Sequence, residues 1–215
     1  MSSSPAIEEY LQAIYTLTDA TASVISARIA DYVGVSAAAV SEMVHRMERE
    51  GYVSLDDRKE VRLTETGRSV AATIMRRHRL AELMLTKLLG YQWWETHEEA
   101  ERLEHAMSAE LEARLIVALG DPQTCPHGNP MPGAVAVPCR PLGDVPAGAR
   151  ATIERIPDQF EHEPGFLAYV ASQGLQPGVT VTVLDRPATG PLRLEVEGTV
   201  REVRRDCGHK VLVRA

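Results

Sequence analysis

The sequence predicts a mainly α-helical protein that ends in a small all-β domain. Three observations carry this. Apolar residues recur at helical spacing through most of the first 120 residues, broken by one short pair of strands. Residues 121–148 then hold prolines at 122, 126, 130, 132, 138, 141 and 146 and glycines at 128, 133, 143 and 148, which neither a long helix nor a central strand tolerates. Beyond them the pattern changes to short alternating segments, the signature of a small β-barrel.

Each element has its own signal. Ile7, Leu11, Ile14 and Tyr15 set the face of a first helix over 7–17. A second fits Ile25–Tyr32, Gly34 turns the chain, and a third runs from Ser36 to about Glu50, ended by Gly51. Strands Tyr52–Leu55 and Val61–Thr64 flank the polar tip Asp56-Asp57-Arg58-Lys59-Glu60. A long helix starts near Thr66, and another covers roughly His97–Leu119. The proline-rich stretch reads as an ordered loop followed by a linker. Strands are expected at Ala151–Ile156, Val179–Leu184, Leu192–Val196, Val200–Val203 and Val211–Val213, with one helix around Phe166–Ser172.

The chain of 215 residues, 44% hydrophobic, suits two or three small domains. It has no apolar run of membrane-spanning length and no signal-peptide pattern at its start. Three cysteines are too few and too scattered for a disulfide framework. A cytoplasmic protein without membrane partners is expected. The net charge of −7 argues against nucleic acid unless part of it is neutralised by bound cations.

Residues 26–45 nevertheless carry the pattern of two tightly crossed helices. Ala30 is small where the helices approach, Gly34 permits the positive φ of the turn, and Val40 is apolar where the second helix packs. Ser36 is a good N-cap. The outward positions Ala37, Ala38, Ala39, Ser41, Glu42 and His45 are small or polar, so this helix can enter a major groove. Arg28, Arg46, Arg49, Arg58 and Lys59 are candidate phosphate contacts, the last two on the tip of the strand pair. Helix–turn–helix plus wing is the expectation. Glu42 can accept only from an amino group such as cytosine's, so specificity is expected to lean on DNA shape and dimer spacing.

A second constellation is acidic and imidazole-rich. His97, Glu101, Glu104 and His105 fall within a few helical turns; His78 and Glu82 are four apart on the preceding helix; Glu9 lies beside the first helix's apolar stripe. Such spacings also suit a solvated helix face. Their repetition on successive helices favours a cation, because packed carboxylates repel without one. The set has no thiolate on the helices, which favours Mn²⁺ over Zn²⁺ or Cu²⁺. In Cys125-Pro126-His127 the two flanking side chains can converge on one ion.

These residues resemble the diphtheria toxin repressor family of iron- and manganese-dependent regulators. The segments that carry the likeness are Glu9-Tyr10-Leu11, Arg46-Met47-Glu48-Arg49-Glu50-Gly51, Leu63-Thr64-Glu65-Thr66-Gly67-Arg68, Arg77-His78-Arg79-Leu80-Ala81-Glu82, Glu104-His105-Ala106-Met107-Ser108 and Gly128-Asn129-Pro130-Met131-Pro132-Gly133. The resemblance implies a winged helix-turn-helix domain (1–72), a helical metal-binding and dimerisation domain (73–140), a linker (141–148) and an SH3-like, FeoA-type domain (149–215). Iron-selective members place methionine and cysteine where this chain has Glu9 and Glu101, so it is similar to the manganese type. A primary site of Glu9, His78, Glu101, Glu104 and His105 is implied. A secondary site is implied of Glu82, Cys125, His127 and Glu163. His97 matches a ligand of the iron-type ancillary site. Gln12 stands where a two-metal sensor type has a glutamate, which speaks against a binuclear cluster. The implied protein is a homodimeric repressor of double-stranded operator DNA, activated by Mn²⁺, with Fe²⁺ the alternative and other divalent transition metals as substitutes in vitro. No organic cofactor is expected.

An enzyme is the competing class. A di-iron bundle needs Glu-x-x-His on two helices, but Met75 and Arg102 precede His78 and His105 by three residues. His97-Glu98-Glu99-Ala100-Glu101 is not the zinc-protease motif. A regulator answering to a small organic ligand in the β domain has no polar constellation to support it.

Overall fold

The computed structural model describes residues 4–20 and 23–214. Its chain forms two compact bodies. One comprises the residues up to His78 with Glu101–Glu112; the other comprises Arg79–Ala100 with the residues from Ala113 onward.

In the first body, α1 (Pro5–Ala20) buries Ile7, Leu11 and Ile14 on one stripe. Pro5 opens the helix, where its missing N–H costs nothing. α2 (Ser26–Val33) ends on Gly34 at φ 76°, whose N–H is accepted by the Ala30 carbonyl. α3 (Ala37–Arg49) starts from Ser36, whose hydroxyl accepts from Ala39 N–H at 3.2 Å. Val40, Val44 and Met47 form its buried stripe. β1 (Val53–Leu55) and β2 (Val61–Leu63) pair antiparallel as the wing. At its tip Asp56 Oδ1 accepts from the backbone of Arg58 and Glu60, both at 2.9 Å. α4 (Glu65–Leu89) is capped by Thr64, whose hydroxyl accepts from Gly67 N–H at 3.1 Å. Gly67 has no substitute: a Cβ there would meet the Tyr52 carbonyl oxygen at 1.9 Å.

The helix expected over 97–119 is two helices, α5 (His97–Glu104) and α6 (Ala109–Ala118). Ser108 makes the break. Its side-chain oxygen accepts from Leu111 N–H and its carbonyl from Glu112 N–H, so it caps a new helix rather than continuing the old one.

In the second body, the loop after α6 is tied by Cys125 N–H to the Asn129 carbonyl and Met131 N–H to the Gln123 carbonyl. It docks on the β domain through Ile156 N–H to the His127 carbonyl, 2.9 Å, and Asn129 Nδ2 to the Ile156 carbonyl, 2.7 Å. β3 (Arg140–Pro141), β4 (Arg150–Arg155), β5 (Thr180–Asp185), β6 (Leu192–Val196), β7 (Thr199–Val203) and β8 (Leu212–Arg214) form one antiparallel sheet, in the order β3-β8-β4-β5-β6-β7. α7 (Phe166–Ser172) and the single turn α8 (Cys207–Lys210) complete the domain. The linker expected at 141–148 is part of this domain. Leu142 and Val145 are fully inside the core with Ile153, Phe166 and Val181, and Pro141 sits on an edge strand, where a missing N–H is harmless.

Candidate metal centres and DNA-reading face

The first side-chain cluster lies within the first body. α1 supplies Glu8, Glu9 and Gln12, α4 supplies His78, and the end of α5 supplies Glu101, Glu104 and the following His105. His78 and Glu104 are each 1% exposed and face each other, Nδ1 to Oε2, at 2.6 Å. Gln12 Nε2 donates to the same Glu104 oxygen at 3.5 Å. His105 Nδ1 is 2.8 Å from Glu8 Oε2, and its Nε2 is 3.3 Å from Glu104 Oε1. With Nδ1–H donated to Glu8, the lone pair of Nε2 faces a carboxylate oxygen, an arrangement that asks for a cation between them. Partial burial raises the Glu9 carboxyl above its usual range, and Glu101 and Glu104 raise it further against the lowering effect of His105. Close contacts thus join His78, Glu104, His105, Glu8 and Gln12, while Glu9 and Glu101 stand near enough for their charges to act on one another. The cluster's donors are oxygen and imidazole nitrogen, which fit a hard or borderline divalent ion.

The second cluster lies within the second body. Glu82, Cys125 and His127 are all buried, with ligand atoms within 4.8 Å of one another. His127 Nδ1 is 3.1 Å from Glu82 Oε1 and 3.2 Å from Glu161 Oε1. Its Nε2 donates to the Trp93 carbonyl at 2.8 Å, which turns Nδ1 toward the carboxylates. Burial would lower the His127 pKa, but Glu161 and Glu82 hold it well above the usual range. Burial and the Glu82 charge push the Cys125 thiol up to about 12, so a thiolate here needs a cation beside it. His97 joins this set, with Nδ1 3.1 Å from Glu161 Oε2 and 3.7 Å from Glu82 Oε1.

Glu163 does not belong to it. Its carboxylate is bound to Lys210 Nζ at 2.5 Å, and its side chain is 40% exposed. Glu161, two residues earlier, is the acidic group of the β domain that enters the cluster. The 3-10 turn Asp158–Phe160 fixes which side of the segment points inward, and Asn129 Nδ2 holds Glu161 Oε1 at 2.8 Å. Sequence reasoning missed Glu161, although Glu161-His162-Glu163 offered it two positions away. It also missed Glu8, adjacent to Glu9, and the pair of buried Arg79 with partly buried Asp158, at 2.9 Å. Arg79 also donates to the Pro130 carbonyl, so it anchors the loop that carries Cys125 and His127.

On the DNA-reading side, Ser36, Ala37, Ala38, Ser41, Glu42, Arg46 and Arg49 are all exposed along α3. Arg58 and Lys59 are exposed at the wing tip, Lys59 at φ 60°. Arg28 is exposed and donates to the Ser23 carbonyl at 2.9 Å. Arg46 is held by Glu50 at 2.8 Å, so part of its charge is already spent within the helix. No helix among the described residues is long and apolar enough to cross a membrane.

Comparison with known proteins matches this division of labour. Residues 3–61 match the model of the iron-dependent repressor N-terminal DNA-binding domain. Residues 64–133 match the iron-dependent repressor metal-binding and dimerisation domain, and 140–215 the FeoA domain. The chain is 35% identical to the iron-dependent repressor IdeR of Mycobacterium tuberculosis, over 85% of each chain. It is 34% identical to the diphtheria toxin repressor of Corynebacterium diphtheriae, over 96% of this chain and 95% of that one. Among solved structures, a manganese-dependent transcriptional repressor in complex with manganese superposes with a TM-score of 0.87 at 35% identity, covering 97% of this chain and 99% of that one. The manganese regulator SloR superposes with a TM-score of 0.78 at 30% identity, covering 100% and 99%. The chain therefore belongs to the iron-dependent repressor family, that of the diphtheria toxin repressor, and is a metal-dependent transcriptional repressor.

Proposed function

We propose that Mn²⁺ is the activating ion and that the loaded protein binds operator DNA as a homodimer. The observation that carries this reading is the donor set of the first cluster: Glu9, Glu101 and Glu104 with His78 and His105, and no sulfur atom among them. Glu82, Cys125, His127 and Glu161 are proposed as a second site, with His97 beside it. A bound divalent ion supplies positive charge at each cluster. Glu9 ties α1 to the end of α5, and Glu161 ties the β domain to α4 and the 125–127 loop. Each cluster thereby fixes elements that the bare carboxylates drive apart, and the ordered form is favoured by its higher ion affinity.

Under this reading residues 1–72 read DNA, 73–140 hold metal and dimerise, and 149–215 form the FeoA-type domain, with 141–148 built into it. Arg28, Arg49, Arg58 and Lys59 contact phosphate, with Arg46 in a lesser role, and Ser36, Ala37, Ala38, Ser41 and Glu42 face the bases. The protein acts in the cytoplasm, catalyses no reaction and uses no organic cofactor. Iron is the second reading, favoured by the iron-dependent relatives at 35% identity.

Operator binding measured by fluorescence anisotropy with Mn²⁺, Fe²⁺, Co²⁺ and Zn²⁺ separates the two. Mn²⁺ is expected to activate at the lowest free-ion concentration, and Glu9→Met with Glu101→Cys is expected to move the preference to Fe²⁺. A double variant that keeps its ranking of metals overturns the assigned donor set.

A further inference from the structure

Glu48 is an acidic residue on a helix that approaches DNA. It follows Ser41 and His45 along one exposed stripe of α3. A carboxylate there repels phosphate, on a chain whose net charge is already −7. Both of its oxygens are engaged: Oε1 accepts from Leu55 N–H at 3.3 Å, and Oε2 lies 3.5 Å from His45 Nδ1. Leu55 is the last residue of β1, and in an antiparallel pair successive N–H groups point to opposite sides. The next one, Asp56 N–H, crosses the wing to the Glu60 carbonyl at 3.2 Å, so Leu55 N–H faces away from β2 and meets α3 instead. Asp56 then holds the tip through the N–H groups of Arg58 and Glu60. A continuous path therefore runs from Glu48 through the Leu55–Asp56 peptide to the two tip cations.

We propose that Glu48 is a positioning residue for operator binding: by holding Leu55 it sets the pitch of the wing against α3, and so places Arg58 and Lys59 relative to the helix that enters the groove. The proposal rests on the reading of those two cations as phosphate contacts. Such contacts fix a protein's register on the duplex, and they can do so only if the cations are held at a set distance from the reading helix. At the root of the wing, Tyr52 N–H to the Met47 carbonyl, 2.9 Å, already ties β1 to α3. Glu48 adds a tie nearer the tip, with an ionised acceptor, the stronger kind of hydrogen bond. The role has a distinctive sign. Deleting the carboxylate removes a repulsion from DNA, yet it weakens binding.

The test is operator binding by the full chain with Mn²⁺, followed by fluorescence anisotropy over a series of salt concentrations. Glu48→Ala is expected to weaken binding about threefold or more and to lower the slope of log affinity against log salt by about 1 or more. Glu48→Gln keeps an acceptor oxygen for Leu55 and drops the charge, so it is expected to bind at least as tightly as the natural protein, with the slope unchanged. Amide hydrogen exchange at Leu55, read by NMR without DNA, is expected to be faster in Glu48→Ala than in Glu48→Gln. In a chain already carrying Arg58→Ala and Lys59→Ala, Glu48→Ala is expected to cause no further loss. Equal or tighter binding by Glu48→Ala would make Glu48 a repulsive charge only, and overturns the proposal. The same loss with the tip cations already removed overturns it too, because Glu48 would then act other than through the wing. A slope unchanged by Arg58→Ala with Lys59→Ala is a separate failure: it overturns the phosphate reading of the tip, and this role for Glu48 with it.

Discussion

Glu161 and Glu163 lie two residues apart and differ in what faces them. Glu161 is 6% exposed between His127, His97 and Asn129, while Glu163 answers Lys210 at the surface. Removing the Glu161 charge takes away half of the carboxylate pair around His127. Glu161→Gln is therefore expected to weaken metal binding at the buried cluster by about tenfold or more, while Glu163→Gln leaves it unchanged. Chelator-competition titrations check this, and equal losses in the two variants would return the role to Glu163. Gly128 is a second residue whose identity is dictated by its place. It sits at φ 85°, and a Cβ there would meet the Glu154 carbonyl oxygen at 2.0 Å. The loop bearing Cys125 and His127 can dock on β4 only without that carbon. Gly128→Ala is expected to cost about 2 kcal/mol or more, combining left-handed strain with a backbone clash. A thermal melt within a degree of the natural protein's would contradict this.

Among the elements, α3 and the wing show how an acidic chain presents a usable face to DNA. α3 buries Val40, Val44 and Met47 and turns small and polar residues outward, so the groove-facing side carries little bulk. The wing adds Arg58 and Lys59 on a tip fixed by Asp56, whose carboxyl is held below its usual range by hydrogen bonds from the Glu60 and Arg58 backbone. An anionic, hydrogen-bonded Asp56 keeps the two cations projecting rather than folded back. Replacing Arg58 and Lys59 together by alanine is expected to weaken binding to all sequences alike and to reduce the slope of log affinity against log salt by about 2. An unchanged slope would place the wing off the phosphates. The break between α5 and α6 has its own consequence. Because the helix ends at Glu104, His105 leaves the helical path and reaches Glu8, 97 residues away in sequence.

Across the molecule, the net charge of −7 and the two carboxylate clusters belong to one account. Glu8, Glu9, Glu101 and Glu104 stand together in the body that reads DNA, and Glu82 and Glu161 stand together in the other. Each group is a store of electrostatic repulsion that a divalent ion relieves. A ligand that binds only the folded form stabilises it by about 2.7 kcal/mol at a hundredfold excess over its Kd. Chelator-treated protein is thus expected to melt several degrees lower than the Mn²⁺-loaded form, with the gap widening as Mn²⁺ is raised. A melting temperature indifferent to Mn²⁺ would detach the clusters from metal altogether. Relief of charge also lowers the repulsion from phosphate, which lets a protein of this sign hold an operator.

What could be told from the chain alone was local. Apolar periodicity placed α1 to α4, Gly34 and Ser36 placed the turn and the cap, and the polar tip between two short strands placed the wing, because each depends on neighbours a few residues away. Part of the first cluster was legible for the same reason: Glu101, Glu104 and His105 fall close together at the end of one helix. Packing decided the rest. Glu8 joins His105, Glu161 displaces Glu163, and Leu142 with Val145 turns a supposed linker into part of the β-domain core. These outcomes depend on which side of a segment is driven inward and on partners distant in sequence. A carboxylate two positions along the same loop looks identical until the fold decides which one meets the imidazole and which one meets the lysine.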